Sequence, residues 1–287
     1  MKLCIIAKKE DIQARYLYEE FKKKPFEKVL LADLAKINVR ISSKNIDVRY
    51  KRKFDWNVYL LRVETSTDFP FSYLLSKALE KKGVVFPSPE AILSCSDRGL
   101  LAKTLSEARM FLPLTYISFS AEAAKRAAAR FKKCAIKFMK HGGKGVAIVE
   151  RPSNISELLD IFSSLTQPFC VQRFIPGEVV KVLVVGEDTI AIKEYPPPEE
   201  ERSNVGKREF VKLKEEEKSD LIKLARHLKA YLFEVDLIEK NRRYFVIDIS
   251  LNPDLKMYAE LSGRNVAAIF ADYILRKYSS LQPPLNI

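Results

Sequence analysis

Phe233-Glu-Val-Asp236-Leu-Ile238 and, past a turn at Asn241, Tyr244-Phe-Val-Ile-Asp248-Ile-Ser250 read as two short strands, each with an aspartate among apolar neighbours. Aromatic and branched residues fill both runs, which suits an extended backbone. An ionised carboxylate is costly to bury alone, so Asp236 and Asp248 are expected to share a cation or a polar pocket, with a divalent metal the simplest occupant. Far upstream, Lys137 stands on a strand that feeds a glycine-rich turn ending at Gly145. Lysine, glycines and paired acids in that order predict an ATP and magnesium site closed over by two parts of one chain.

Strand and helix signals alternate along the rest of the chain, which argues for an α/β class. Leu3 to Ala7 predicts a first strand, residues 11–24 a helix and Lys28 to Leu31 a second strand, while residues 39–53 fit neither pattern cleanly. Asn57 to Val63 predicts a strand, and Pro70 to Lys82 a helix with Leu74, Leu75, Ala78 and Leu79 on one face. Gly83 stops that helix before a strand at Val84 to Phe86. Together these elements predict a small doubly wound domain over residues 1–90, and Pro87-Ser-Pro89 marks its boundary.

Residues 91–173 predict a helix from Asp97 to Arg109, an alanine-rich helix from Ala121 to Lys132 and a hairpin of Cys134 to Phe138 with Val146 to Val149. A capped helix from Ser153 to Leu165 and a strand from Phe169 to Arg173 follow. Residues 174–287 hold strands at Lys181 to Val185 and Thr189 to Glu194 and a proline- and glutamate-rich loop. A helix from Lys218 to Leu232, the two acidic strands and a closing helix from Val266 to Lys277 complete the chain.

At 287 residues, 47% apolar and 30% charged, the chain can bury a sizeable core. No apolar run approaches the roughly 18 residues of a membrane span. The opening Met1-Lys-Leu-Cys-Ile-Ile-Ala7 is too short, and too soon followed by Lys8, Lys9 and Glu10, to read as a signal peptide. Cys4, Cys95, Cys134 and Cys170 are widely spaced, so no disulfide framework is expected and a reducing cytoplasm fits. The net charge of +13 is the anomaly: residues 1–62 hold 16 Lys or Arg against 8 Asp or Glu. Such a field speeds the capture of polyphosphates, acidic peptides or nucleic acid. A solvated Lys/Glu-rich surface accounts for it as well.

Gly142, Gly143 and Gly145 let a hairpin turn approach a phosphate and offer it backbone N–H groups, although the segment is neither a Walker A loop nor a GxGxxG. Lys137 is placed to reach the same phosphates. Gln172-Arg-Phe-Ile-Pro-Gly-Glu178 is a strand leaving into a turn, where backbone can read an adenine edge, Gln172 can take the exocyclic amine and Glu178 can hold ribose hydroxyls. An ordinary strand end explains it equally. Arg202 and Asn204 lie in the charged loop, where they suit neutralising and orienting a phosphoryl group, although taken alone the segment reads first as a bare surface loop. His141 and His227 have no partner at metal-ligand spacing.

In this order the pieces resemble the ATP-grasp superfamily over about residues 55 to 280. Phe54-Asp-Trp-Asn-Val-Tyr-Leu-Leu-Arg62 looks like the strand ending its N-terminal domain, and Ser96-Asp97-Arg98 stands where the superfamily has a phosphate-contacting Asp-Lys. Ala135-Ile-Lys137 and the turn from His141 to Gly145 match its lysine strand and flap, and Val171-Gln-Arg-Phe-Ile175 matches its adenine hinge, with Arg173 in place of glutamate. Two branches are similar. RimK-type carboxylate-amine ligases show counterparts of Ala191-Ile-Lys193, Arg202-Ser-Asn204 and Val235-Asp-Leu-Ile238; inositol polyphosphate 5/6-kinases show counterparts of Lys181-Val-Leu-Val-Val-Gly-Glu187 and Val246-Ile-Asp-Ile-Ser250.

The resemblance implies an α/β (α+β) chain with the ATP-grasp fold behind an N-terminal doubly wound domain. A central subdomain over 91–173 would carry the lid, and a C-terminal one over 174–287 the metal and catalytic residues. ATP and Mg2+ would be its cofactors. It places Arg98, Lys137, His141, Gly142, Gly143, Gly145, Gln172, Arg173, Phe174, Ile175, Glu178 and Lys181 around the nucleotide, Asp236, Asp248 and Ser250 around the metal, and Lys193, Arg202 and Asn204 at the transfer point. Its partners would be a small-molecule or peptide carboxylate and an amine, joined through an acyl phosphate. The alternatives are phosphorylation of a polyanion such as an inositol phosphate, or a catalytically degenerate nucleotide-binding protein. Nucleic acid and membrane partners are not expected, and a homo-oligomer is left open. Ser250 replaces the usual asparagine, Val179 and Lys181 replace an Asp-Ile-Arg, and Glu194 replaces an arginine. A hydroxyl is a weaker neutral metal ligand than an amide, while at Val179–Lys181 the basic residue persists and the acidic one is lost.

Overall fold

The computed structural model describes residues 1–62, 69–139, 146–150, 155, 168–195 and 207–278. Its first sheet is wholly parallel: β1 (Lys2–Ala7) lies between β2 (Lys28–Asp33) and β6 (Val58–Arg62), with β7 (Val84–Phe86) beyond β6. Near-continuous apolar runs suit strands covered on both faces. Helix α1 (Ile12–Lys22), capped by the Asp11 side chain on the N–H groups of Gln13 and Ala14, covers one face, and α2 (Phe69–Glu80) the other. The ambiguous stretch at 39–53 is a small antiparallel sheet of β3 (Asn38–Ile41), β4 (Ile46–Tyr50) and β5 (Arg52–Lys53). Val48, Phe54 and Trp56 join the same core as α2.

The helix expected from Asp97 to Arg109 is α4 (Arg98–Glu107), and a further helix that was not expected, α3 (Pro89–Ser96), precedes it. The boundary reading of Pro87-Ser-Pro89 missed that Ser88 caps Ala91 and that Pro89 opens a helix, the position where its fixed φ and missing N–H cost least. A four-stranded antiparallel sheet follows, in the order β10 (Val146–Val149), β9 (Cys134–Phe138), β11 (Phe169–Arg173), β8 (Thr115–Ser118), with α5 (Ala121–Ala128) packed on one face. Of the helix expected from Ser153 to Leu165 only Ile155 is among the described residues, buried in the same core as α5.

The third sheet runs β14 (Arg208–Val211), β13 (Asp188–Glu194), β12 (Val179–Val185), β15 (Leu232–Lys240), β16 (Arg243–Ser250), all antiparallel. Helices α6 (Glu215–Leu228), α7 (Leu255–Ser262) and α8 (Val266–Tyr278) complete the described chain. One face of this sheet, through Leu183, Val185, Ile190 and Ile192, shares a core with Leu3, Ile5, Phe21, Tyr258 and Phe270. The other, through Val180, Val182, Ala191 and Val235, packs on Leu221 and Leu224 of α6 and on Leu101 and Leu105 of α4. Strand alternation therefore fixes which side chains reach which compartment.

Candidate active site

Three strands set charged residues in a row. Lys181 on β12 stands opposite Asp236 on β15, and Asp236 stands opposite Asp248 on β16. Directly opposed residues of antiparallel strands share a face, here the one that carries Leu183 and Ile192. Alternation brings a further carboxylate to it, Glu234, opposite Ser250. Lys181 Nζ donates to Asp236 Oδ1 and to Glu234 Oε1, both at 3.3 Å, and Tyr258 Oη donates to Glu234 Oε2 at 2.9 Å.

The four-stranded sheet closes on the same place. Lys137 Nζ on β9 donates to the Ile247 carbonyl at 3.2 Å, at the register shift that separates the Asp236–Asp248 pair from Leu237–Val246. Arg98, at the start of α4, lies 3.4 Å from Asp248 Oδ2, and its backbone N–H donates to Met139 O just past β9. Asp97 caps α4 through the N–H groups of Gly99 and Leu100, which holds Arg98 at that corner. The expected meeting of lysine strand and paired acids is thus a direct contact between sheets.

Burial, then the neighbouring Arg98 charge, pushes the Lys137 ammonium below its ordinary pKa. Burial raises the Asp236 carboxyl to about 6 despite Lys181. For Lys181 burial opposes the charge, but Asp236 and Glu234 outweigh it and raise its pKa. Asp236 is therefore an anion incompletely compensated by its lysine, set among oxygen donors, and such a site fits a hard divalent cation. Among the described residues no three acids, histidines or cysteines converge as a ready metal cage. Phosphate oxygens and water commonly supply the remaining ligands of Mg2+.

Gln172, buried on the cleft side of β11 opposite Ala135 and Thr115, donates through Nε2 to Thr115 Oγ1 at 2.9 Å. Arg173 faces the other way, its guanidinium 5.6 Å from the Phe131 ring centroid. Lys133 Nζ sits 4.4 Å from the Phe174 centroid, and Ile175 is buried. Lys193 is not brought to the acids: it stands opposite Val180 and shares the face of Ala191, behind the sheet from Lys181, and it pairs with Glu178. A shift of one residue along a strand is enough for this, because the side-chain period is 2. His141, Gly142, Gly143, Gly145, Arg202 and Asn204 lie outside the described residues.

Glu234 and Tyr258 were missed. Glu234 was legible, since two acids spaced i, i+2 on one strand must share a face. Tyr258, on α7, has no local signal that ties it to β15.

Comparison with known proteins identifies the family. Residues 96–274 match the family described as the RimK-like ATP-grasp domain. A probable alpha-L-glutamate ligase of Stutzerimonas stutzeri is 23% identical, over 96% of this chain and 95% of its own length, and one from Pseudomonas fluorescens is 25% identical with the same coverage. A RimK domain ATP-grasp protein of Sphaerobacter thermophilus superposes with a TM-score of 0.75 at 20% identity, covering 96% of this chain and all of its own. The ATP-grasp ligase PsnB, in complex with a minimal precursor, Mg and ADP, also gives 0.75 at 16% identity, with 96% of each chain covered. With its lysine strand, hinge and paired acids in that fold, the chain belongs to the RimK-like ATP-grasp family.

Proposed function

We propose that this protein is an ATP-dependent carboxylate–amine ligase that works through an acyl phosphate, with Mg2+ as its metal. The observation that carries the reading is the row Lys181–Asp236–Asp248, closed by Lys137 and Arg98. Asp236 and Asp248 would hold Mg2+, with Ser250 a neutral oxygen beside them, and the metal would neutralise charge on the phosphates. Lys137, Arg98 and Lys181 hold phosphate oxygens from three sides, and the 172–175 hinge receives adenine. Phosphoryl transfer asks for positioning and charge neutralisation rather than a protein nucleophile, which suits this set. The substrate carboxylate takes the γ-phosphoryl group, and an amine then displaces phosphate to form the amide. The names of the curated relatives, alpha-L-glutamate ligases, support an amino acid among the substrates.

The test is ATP turnover over a panel of carboxylic acids and amines, each alone and in pairs, with hydroxylamine as a trapping amine. Ligation predicts ADP release that needs both partners, and a hydroxamate in the trap. The net charge of +13 favours a second reading, phosphorylation of a polyanionic small molecule. Label from the γ-phosphate retained on a hydroxyl acceptor would establish it. Nucleotide binding with no turnover on any acceptor would instead mean that the changes at Val179, Lys181, Glu194 and Ser250 have ended catalysis.

A further inference from the structure

Glu234 is a third carboxylate on the face of Asp236 and Asp248, and holding metal or phosphate does not call for it. It adds negative charge beside two acids on a face that otherwise feeds an apolar core through Leu183 and Ile192. A side chain needed only to fill that place would be apolar, because burying one more acid is costly. Nor does it complete a cage: among the described residues no group of three acids converges on one point.

The bonds each carboxylate accepts separate their roles. Both oxygens of Glu234 are engaged, Oε1 by Lys181 Nζ at 3.3 Å and Oε2 by Tyr258 Oη at 2.9 Å. Asp236 is engaged at Oδ1, by the same ammonium at 3.3 Å, and among the described residues nothing donates to its Oδ2. Lys181 is thus shared between its direct cross-strand partner, Asp236, and the diagonal neighbour, Glu234. Tyr258 holds one end of this arrangement still. Its side chain is fully buried on α7, and Gln13 of α1 pins the start of that helix, donating to Asp254 Oδ1 at 2.6 Å and accepting from the Lys256 N–H at 3.0 Å. A charge-assisted bond from so anchored a hydroxyl keeps Glu234 where it is.

An ammonium and a divalent cation repel each other, and both lay claim to Asp236. We propose that Glu234 is a positioning residue that retains Lys181 when a divalent cation takes Asp236, so that the lysine yields the aspartate without losing its counter-ion and stays beside the phosphates. This rests on the metal assignment made above. Without Glu234 the described residues leave Lys181 one anion in bonding distance, and a cation at Asp236 would strip the lysine of it. A partly buried ammonium left alone is costly, and that cost falls on metal affinity.

The test is titration of the full-length protein with Mn2+ alone, read by its electron paramagnetic resonance signal, with Asp248→Ala as the measure of binding elsewhere. Glu234→Gln should weaken Mn2+ binding at this site about tenfold, as loss of a group that orients a ligand set usually does. Tyr258→Phe, which changes no charge and only frees Glu234, should weaken it about threefold. In the Lys181→Met background the competing cation is gone, and adding Glu234→Gln should then change affinity by about twofold or less. A carboxylate that ligated the metal, or merely added negative field, would weaken binding equally in both backgrounds. Such equal losses, or wild-type affinity in either Glu234→Gln or Tyr258→Phe, would overturn the proposal and leave the metal assignment standing. Wild type that binds no more Mn2+ than Asp248→Ala would overturn the metal assignment and the proposal with it. Far-UV circular dichroism reports the fold of each variant, and Tyr258→Phe decides the matter if the double variant does not fold.

Discussion

The two faces of the five-stranded sheet carry the same chemistry in different settings. On one, Lys181 bridges Glu234 and Asp236; on the other, Lys193 pairs with Glu178 and lies 5.1 Å from the Tyr195 ring centroid. The lysines are alike in exposure, 23% and 28% of the side chain, but their partners are not: Glu234 and Asp236 are 13% and 25% exposed, Glu178 50%. An ion pair half in water is screened and contributes little. A shielded carboxylate held ionised against burial is where chemistry is more often found. The contrast teaches that position in the alternation separates Lys181 from Lys193, since residue type does not.

Removing Asp248 is the strongest way to break that contrast. Asp248→Ala deletes the carboxylate opposite Asp236 and leaves Arg98 without that partner, so ATP turnover should fall by about a hundredfold or more with the far-UV circular dichroism unchanged. Turnover within a few-fold of wild type would remove the metal assignment. The lysines sharpen the contrast further. Lys181→Met should lower turnover by about ten- to a hundredfold, as loss of a group that orients a ligand usually does. Lys193→Met should leave kcat and the KM for ATP as they are. Matched losses from both would show that Lys193 reaches the transfer point by a rearrangement, and that the sheet's two faces are not functionally distinct.

How much of this was legible in the sequence follows from the range of each cause. The acidic strands and the lysine hairpin were legible because alternation and apolar runs are local. That Asp236 would meet Asp248 followed from two strands around a short turn. The contact of Lys137 with Ile247 joins residues 110 positions apart and has no local signature. That Lys193 takes the opposite face from Lys181 was not legible, because a motif match fixes a residue's neighbours along the chain but not which face of the sheet it takes. β8, β14 and α7 were missed for another reason: each has eight residues or fewer, and tertiary packing rather than propensity decides such short elements.

The smallest effect is on stability, and it tests whether burial truly burdens the acids. In the metal-free protein the Asp236 carboxyl has a pKa near 6, against about 3.9 in an unfolded chain. Between those values the folded state holds a proton that the unfolded state lacks. Stability contributed at low pH is then lost as pH rises from about 4 to about 6, and it stays lost above. With a quarter of the side chain exposed and Lys181 beside it, the loss should be about 1–2 kcal/mol rather than the full value of the shift. Asp236→Asn cannot ionise. In EDTA it should therefore match wild type near pH 4 and exceed it at pH 7.5 by that amount in urea unfolding, while Mg2+ should stabilise wild type more than the variant. The exposed face supplies the opposite sign: a hydrogen bond from Lys207 holds the Glu209 carboxyl below its ordinary range, so wild type should gain stability over Glu209→Gln as pH rises through the carboxylate range, and added salt should erase the difference. Parallel pH curves for wild type and Asp236→Asn would mean that Lys181 compensates the anion fully, and the case for a divalent cation at Asp236 would lose its electrostatic support.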